Sequence, residues 1–351
     1  MLTLERRATI SARALALAPL GAIGFTLMVS TLLLALAGAP VGRAFALLIE
    51  GAFGSRFALA ETLTRATPLM LTGLACALAF RARFYNIGAE GQLYLGALAA
   101  VAVGGSALPL PAPLLFVLML LAAASAGALW LLLSALLKNR LGVDEVVTTL
   151  LGNFIVLLFV SMMLDGPMKD PLAMGWPQSV TLAPELEFSR LMERTRAHSG
   201  LLLALMLAVL LWLMQRYSKL GLAIRAVGAS PSAAKFLGLP STRTLLITAL
   251  ISGALAGLAG AVEVAGRTGY VTLEMSTGYG YTGVVVAMLA ALHPLRVILA
   301  SIFIAAILVG ADSMSRSLGV PNYLADVIVA SALLSMLVAS LFAHYRLRLR
   351  A

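Results

Sequence analysis

The chain has 351 residues, 61% of them apolar and only 11% charged, with a mean hydropathy of +1.00. A soluble domain carries about 25% charge, so a soluble enzyme or binding module is excluded, and the excess of Leu and Ala over β-branched residues favours membrane helices over a barrel. The net charge of +10 suits basic cytoplasmic loops better than nucleic acid, and a single cysteine, Cys76, permits neither an internal disulfide nor a Cys/His metal spacing.

Glu5, Arg6, Arg7 and Arg13 precede an apolar run over 14–38. A signal-peptide core is about 7–15 residues long, so the run is read as a first span behind a cytoplasmic segment, 1–13. Further apolar runs follow at 62–80, 87–104, 112–137, 145–164, 199–216, 244–265, 281–293, 295–312 and 322–343. Each of about 20 residues crosses a bilayer. The expectation is an all-α integral membrane protein, a single transmembrane domain over 1–351 with roughly ten helices. The run at 87–104 is irregular and that at 281–293 is short. Sixteen of the 25 basic residues fall in one set of loops. That set should face the cytoplasm, which places both termini there, including the tail 344–351. A proline-rich loop, 165–198, is then external, and a loop over 216–243 is internal.

The stretch FYNIGAEGQLYLG, 84–96, sets Asn86, Glu90 and Gln92 between apolar runs. Asn86 is suited to cap the next helix, Gly88 and Gly91 loosen its first turn, and Arg81 or Arg83 is expected to pair with Glu90. Two readings stay open: a helix start held by local hydrogen bonds, or a gate. In the fifth run Glu145, Thr148, Thr149, Gly152 and Asn153 fall at i, i+3, i+4, i+7 and i+8, on one helical face. In lipid, a polar stripe marks the protein interior or a water-filled path. Interhelical hydrogen bonding by Thr and Asn, and a favourable place for Glu145 at a helix N-terminus, explain the same residues.

The internal loop contains SPSAAKFLG, a compact helix signal. Ser230 is a good N-cap and Pro231 suits the first helical position. Ser232, Ala233, Ala234, Lys235, Phe236 and Leu237 continue it, Gly238 can close it in a left-handed conformation, and Pro240 stops it. So short a helix is marginal in water alone and must dock, either on the membrane surface or into a soluble partner. Gly253, Gly257 and Gly260 have the spacing that lets helices approach closely. An internal echo links FRARFYNIGAEGQLYLGALAA to VAGRTGYVTLEMSTGYGYTGVVVAMLAA. Both run apolar helix, Arg, Tyr, Gly-rich polar break, apolar helix. An inverted repeat of five plus five spans would produce this, with Glu274, Tyr279 and Tyr281 mirroring the first break.

RARFYNIGAEGQLYLGALAA, LGVDEVVTTLLGNFIVL, GLAIRAVGASPSAAKFLG, SGALAGLAGAVEVAG and GYGYTGVVVAMLAALHPLRVILAS occur in this order. Over about residues 60–335 the chain thereby resembles permease subunits of ABC importers, in the nucleoside and simple-sugar branch of the branched-chain amino acid/ribose/nucleoside-type permeases. Asp144 stands where Asn is common. The resemblance implies a bacterial inner-membrane subunit that forms the path for a small polar solute, a nucleoside or simple sugar. It implies four partners: an ATP-binding subunit gripping a coupling helix at Ser230–Gly238, a second permease subunit (paralogous or identical), an external solute-binding protein, and membrane lipid. ATP and Mg would sit on the ATP-binding partner, because this chain has no GxxxxGK[ST] loop; the chain itself is then no enzyme. NIGAEGQ is closer to the nucleoside-type form than to the ribose-type one. Tyr85, Tyr94, Tyr279 and Tyr281 are candidates for stacking on a base or for the interfacial belt. The alternative is an ion-coupled secondary transporter using Asp312 and Asp326. An intramembrane enzyme has less support: His198, His293 and His344 are isolated, and neither HExxH nor GxGD occurs.

Overall fold

The computed structural model describes residues 2–6, 12–36, 38–106 and 108–319, scattered positions between 327 and 338, and 345–349. The run at 322–343, with Asp326 and His344, therefore lies outside or mostly outside the described residues. The helices are α1 (Ala12–Leu36), α2 (Val41–Phe53), α3 (Arg56–Arg81), α4 (Ala89–Gly104), α5 (Ala112–Leu141), α6 (Glu145–Asp165), α7 (Gly200–Tyr217), α8 (Lys219–Ala229), α9 (Pro231–Phe236), α10 (Ser241–Glu263), α11 (Tyr279–Leu289) and α12 (Pro294–Leu318). α10 runs on into a π-helical turn, Val264–Thr268. The departure from helix is a terminal ribbon, β1 (Leu2–Arg6) antiparallel to β2 (Tyr345–Leu349), with Leu2 opposite Leu349.

Among the described residues, α3, α5, α6, α7, α10 with its π-turn, and α12 are long and apolar enough to cross a membrane. The segment Gly24–Leu36 with α2, bent by 119°, is a seventh candidate. The runs at 87–104 and 281–293 become α4 and α11, of 16 and 11 residues. At 1.5 Å per residue they reach about 24 and 17 Å, short of an apolar core of about 30 Å. Two helices were not anticipated. α2 occupies the connection between the first two apolar runs, and α8 lies in the internal loop 216–243 ahead of α9. Ser218 caps α8 by accepting from the Gly221 N–H at 3.0 Å.

The chain divides into two compact units, 1–62 with 304–351, and 63–303. In the first, Leu34, Ala44, Leu47, Ala311 and Met314 form the core. In the second, α4 lies between α5, α6, α10 and α11 and is buried almost throughout. Small residues allow this enclosure. A Cβ on Gly257 would fall 2.2 Å from the Ala123 carbonyl oxygen of α5, and one on Gly96 would fall 2.1 Å from the Gly257 carbonyl oxygen. One on Gly260 would fall 1.9 Å from the carbonyl oxygen of Leu93. The glycine stripe of α10 thus lets α4 and α5 meet it backbone to backbone, as its spacing suggests. α6 presents Thr149, Gly152, Asn153 and Val156 inward and Leu151, Phe154, Ile155 and Leu158 outward. This is the polar-in arrangement expected in lipid.

Candidate functional site

Residues 82–88 form a first break between α3 and α4. Unwound backbone inside a membrane protein must find partners for its N–H and C=O groups. The inward face of α6 supplies them. Glu145 Oε1 accepts from the Tyr85 N–H at 3.2 Å, and Thr149 Oγ1 accepts from the Ile87 N–H at 3.2 Å. Asn153 donates to the Ile87 carbonyl at 3.0 Å and accepts from the Gly91 N–H at 2.8 Å. These three side chains, one turn apart, replace a neighbouring strand. Thr148 is half-buried beside the row, with its hydroxyl on the Glu145 carbonyl. Asp144 caps α6, accepting from the Val146 N–H at 2.7 Å, so Asp performs the capping role as well as Asn does. Lys138 ion-pairs with Glu145 at 2.5 Å.

Asn86 and Gln92 form a closed amide pair, at 3.0 and 2.9 Å. Asn86 also accepts from the Gly88 N–H at 3.0 Å and donates to Ser252 Oγ at 3.2 Å. Ser252 in turn donates to the Ala75 carbonyl at 2.8 Å. The capping expected of Asn86 is thus directed at the turn that starts α4, while Gly88 holds the N-cap position itself.

The expected pairing of Glu90 with Arg81 or Arg83 does not occur. Arg81 donates to Gln215. Glu90 Oε2 instead accepts from the Gly280 N–H at 2.6 Å. The reason is the meeting of two helix starts: a Cβ on Gly280 would fall 2.4 Å from the Glu90 Cα. Each N-terminus carries partial positive charge and N–H groups without intrahelical partners. A carboxylate in the first turn of α4 that accepts from the first turn of α11 compensates both. This accounts for a carboxylate in so apolar a setting.

Residues 269–278 form a second break, before α11. Tyr94 of α4 donates to the Leu273 carbonyl at 2.5 Å, so its ring is buried rather than in an interfacial belt. Ser276 Oγ accepts from the Gly278 and Tyr279 N–H groups at 3.2 and 3.1 Å. In the π-turn, Arg267 pairs with Glu263, which is 1% exposed, and donates to the Tyr279 hydroxyl at 3.1 Å. Tyr279 is buried and bonds to Arg267, whereas Glu274 and Tyr281 are exposed. The loop 165–198 runs along this break. Ser179, Leu182 and Phe188 donate backbone N–H groups to Val271, Gly269 and Ala265 at 3.0, 2.7 and 2.9 Å, and Val271 donates to Ser179 Oγ at 2.8 Å. The His198 ring lies between Gly266 and Phe188, and burial depresses its pKa to about 4.

Away from these breaks, α9 forms where expected. The Ala233 N–H donates to Ser230 Oγ at 3.3 Å, and Gly238 closes the helix at φ +74°. Ala234 is buried, while Pro231, Ser232, Ala233 and Lys235 are exposed, and Phe236 and Leu237 stand out at 92% and 72% exposed. α8 carries α9 and seats against the end of α3: a Cβ on Gly228 would fall 2.0 Å from the Arg81 carbonyl oxygen.

Ser252, Glu263, Arg267 and Lys138 belong to these networks but were not singled out in the sequence. EVAGR, with Glu and Arg at i and i+4 in an apolar run, was the available signal. Ser252 offered none, because its partners are distant in the chain.

The family profile described as branched-chain amino acid transport system / permease component matches residues 58–341. A guanosine ABC transporter permease protein of Bacillus subtilis, NupP, is 35% identical over 93% of this chain and 94% of its own length. A glucose ABC transporter permease protein of Haloferax volcanii, TsgB13, is 34% identical over 83% of this chain and 79% of its own. A nucleoside ABC transporter permease protein of Lactococcus lactis, NupB, is 28% identical over 90% and 88%.

Proposed function

This chain belongs to the branched-chain amino acid transport system permease family, and from that premise we propose that it conducts a nucleoside or a simple sugar through a bacterial inner membrane. It is a transmembrane permease subunit of the ABC importer type. The observation that carries the substrate reading is the near full-length match to a guanosine permease, with a glucose permease close behind. The match spans most of both compact units, which supports one permease domain.

In this reading α9 is the coupling helix. An ATP-binding subunit, with its ATP and Mg, grips the exposed Phe236 and Leu237. An external binding protein hands over the solute, and a second permease subunit, paralogous or identical, completes the pore. The paired β1 and β2 support termini on one side, which the charge distribution makes cytoplasmic. The order helix, break, short helix occurs at α3–α4 and again at α10–α11, and the short helices meet at their N-termini. That arrangement supports an inverted five-plus-five repeat. Asn86, Gln92, Glu145, Thr149 and Asn153 then hold the inner break, and Glu90 and Tyr279 mark where the two halves meet along the path. The ion-coupled alternative rests on Asp312 and Asp326, of which Asp326 lies outside the described residues, and the relatives support the ABC reading over it.

The test is co-purification with the cognate ATP-binding subunit, followed by ATPase and uptake assays in lipid with guanosine and glucose. Uptake of either, lost when the Ser230–Gly238 helix is deleted from a chain that still folds, supports the reading. Failure of any ATP-binding subunit to associate with the wild-type chain would sink it.

A further inference from the structure

Glu263, Arg267 and Tyr279 are not explained by helix packing alone. The Glu263 carboxylate is fully buried and its Arg267 partner half-buried; an ionised pair within a span is costly and marks function, and π-turns recur at functional sites. The pair ties the π-turn to the first residue of α11 through the Tyr279 hydroxyl. That residue adjoins Gly280, whose N–H is held by Glu90. A second tie, from Tyr94 to Leu273, fixes the middle of the same break to α4. The break also carries the loop 165–198 on its outer edge, through backbone bonds at Ala265, Gly269 and Val271. The loop is thus bonded to both the π-turn and the break.

We infer that Glu263, Arg267 and Tyr279 are an outer latch that holds the second break shut over the path, and that the loop 165–198 is its handle. This rests on the permease reading, in which the break is external and the loop is where the binding protein arrives. The latch is bistable in a simple sense. Arg267 either bridges Glu263 to Tyr279, or it releases the tyrosine and lets the break swing away from α4. Docking on the loop shifts that balance without contact with the solute. Tyr279 and Arg267 are positioning residues here, acting through the break.

The test uses Met275, which lies buried in the break, as Met275→Cys in a Cys76→Ala background. The full chain is placed in right-side-out vesicles with a membrane-impermeant maleimide outside. Tyr279→Phe removes only the hydroxyl, and Arg267→Gln removes the bridge. Each is expected to raise the labelling rate at least tenfold, and Ser179→Ala, which loosens the handle, severalfold. A Val227→Cys reporter on α8, buried and read from inside-out vesicles, should be unchanged. Rates within twofold of the intact latch would overturn the inference. So would a parallel rise at Val227→Cys, which means general loosening, or labelling of Met275→Cys only from inside. If Arg267→Gln does not fold, Tyr279→Phe decides. Labelling needs no ATP-binding subunit, so a failed latch and a failed permease reading are separable.

Discussion

Asn153 satisfies two backbone groups of the first break with one side chain, the Gly91 N–H and the Ile87 C=O. Each group left buried without a partner costs about 1–3 kcal/mol. Asn153→Ala should therefore lower the thermal midpoint of the detergent-solubilised protein by several degrees and depress uptake. An alanine variant as stable as wild type would show that the α6 row does not hold the break. His198 makes a second prediction. Its pKa is about 4 when folded and about 6.5 when unfolded. Between those values the unfolded chain binds more protons, so stability rises with pH through that window and is lost as pH falls toward 4. The loss amounts to at most about 3 kcal/mol. His198→Phe should flatten the dependence of thermal stability on pH between 4 and 6.5. An unaltered slope would remove His198 as its source.

At the scale of elements, the α4–α5–α10 contact depends on the absence of side chains. Gly257→Val would drive a side chain into the Ala123 carbonyl and separate helices that meet backbone to backbone. Overpacking costs about 1–3 kcal/mol where neighbours can shift, and two backbones cannot readily do so. A variant that fails to run as a single species on size exclusion is expected; wild-type behaviour would contradict the packing. α9 predicts the reverse. Phe236→Ser should leave thermal stability unchanged, since the ring touches little, yet weaken capture of the ATP-binding subunit roughly tenfold or more. Where local chemistry decides, the elements were legible in the sequence: the cap at Ser230, the stop at Gly238, the glycine spacing in α10, the inward face of α6. α2 and α8 were not, because a short amphipathic helix next to a span reads as loop when hydropathy is the guide. The partner of Glu90 was not legible either. The nearby arginines suggested an ion pair, but the bond goes to a backbone N–H 190 residues away, and only the fold brings that group within reach.

At the scale of the molecule, the second unit is built around a helix too short to span and too polar at its start to stand in lipid by itself. Asn86 and Gln92 are satisfied by each other and by Ser252 of α10, and Glu90 by the Gly280 N–H of α11. A chain ending before α10 should therefore insert and then be degraded, and co-expression of the remaining segment should rescue it. Pulse-chase decay of the two forms measures this; equal lifetimes would mean that α4 is stable without its later partners. The enclosure of α4 also sets a timetable. Ser252, which receives the Asn86 amide, is 166 residues further along the chain. At about 5–20 residues per second, the ribosome needs roughly ten to thirty seconds to supply it. Throughout that interval α4 lacks one wall of its seat, so the nascent chain must keep it sheltered at the insertion site or against α6 until α10 emerges.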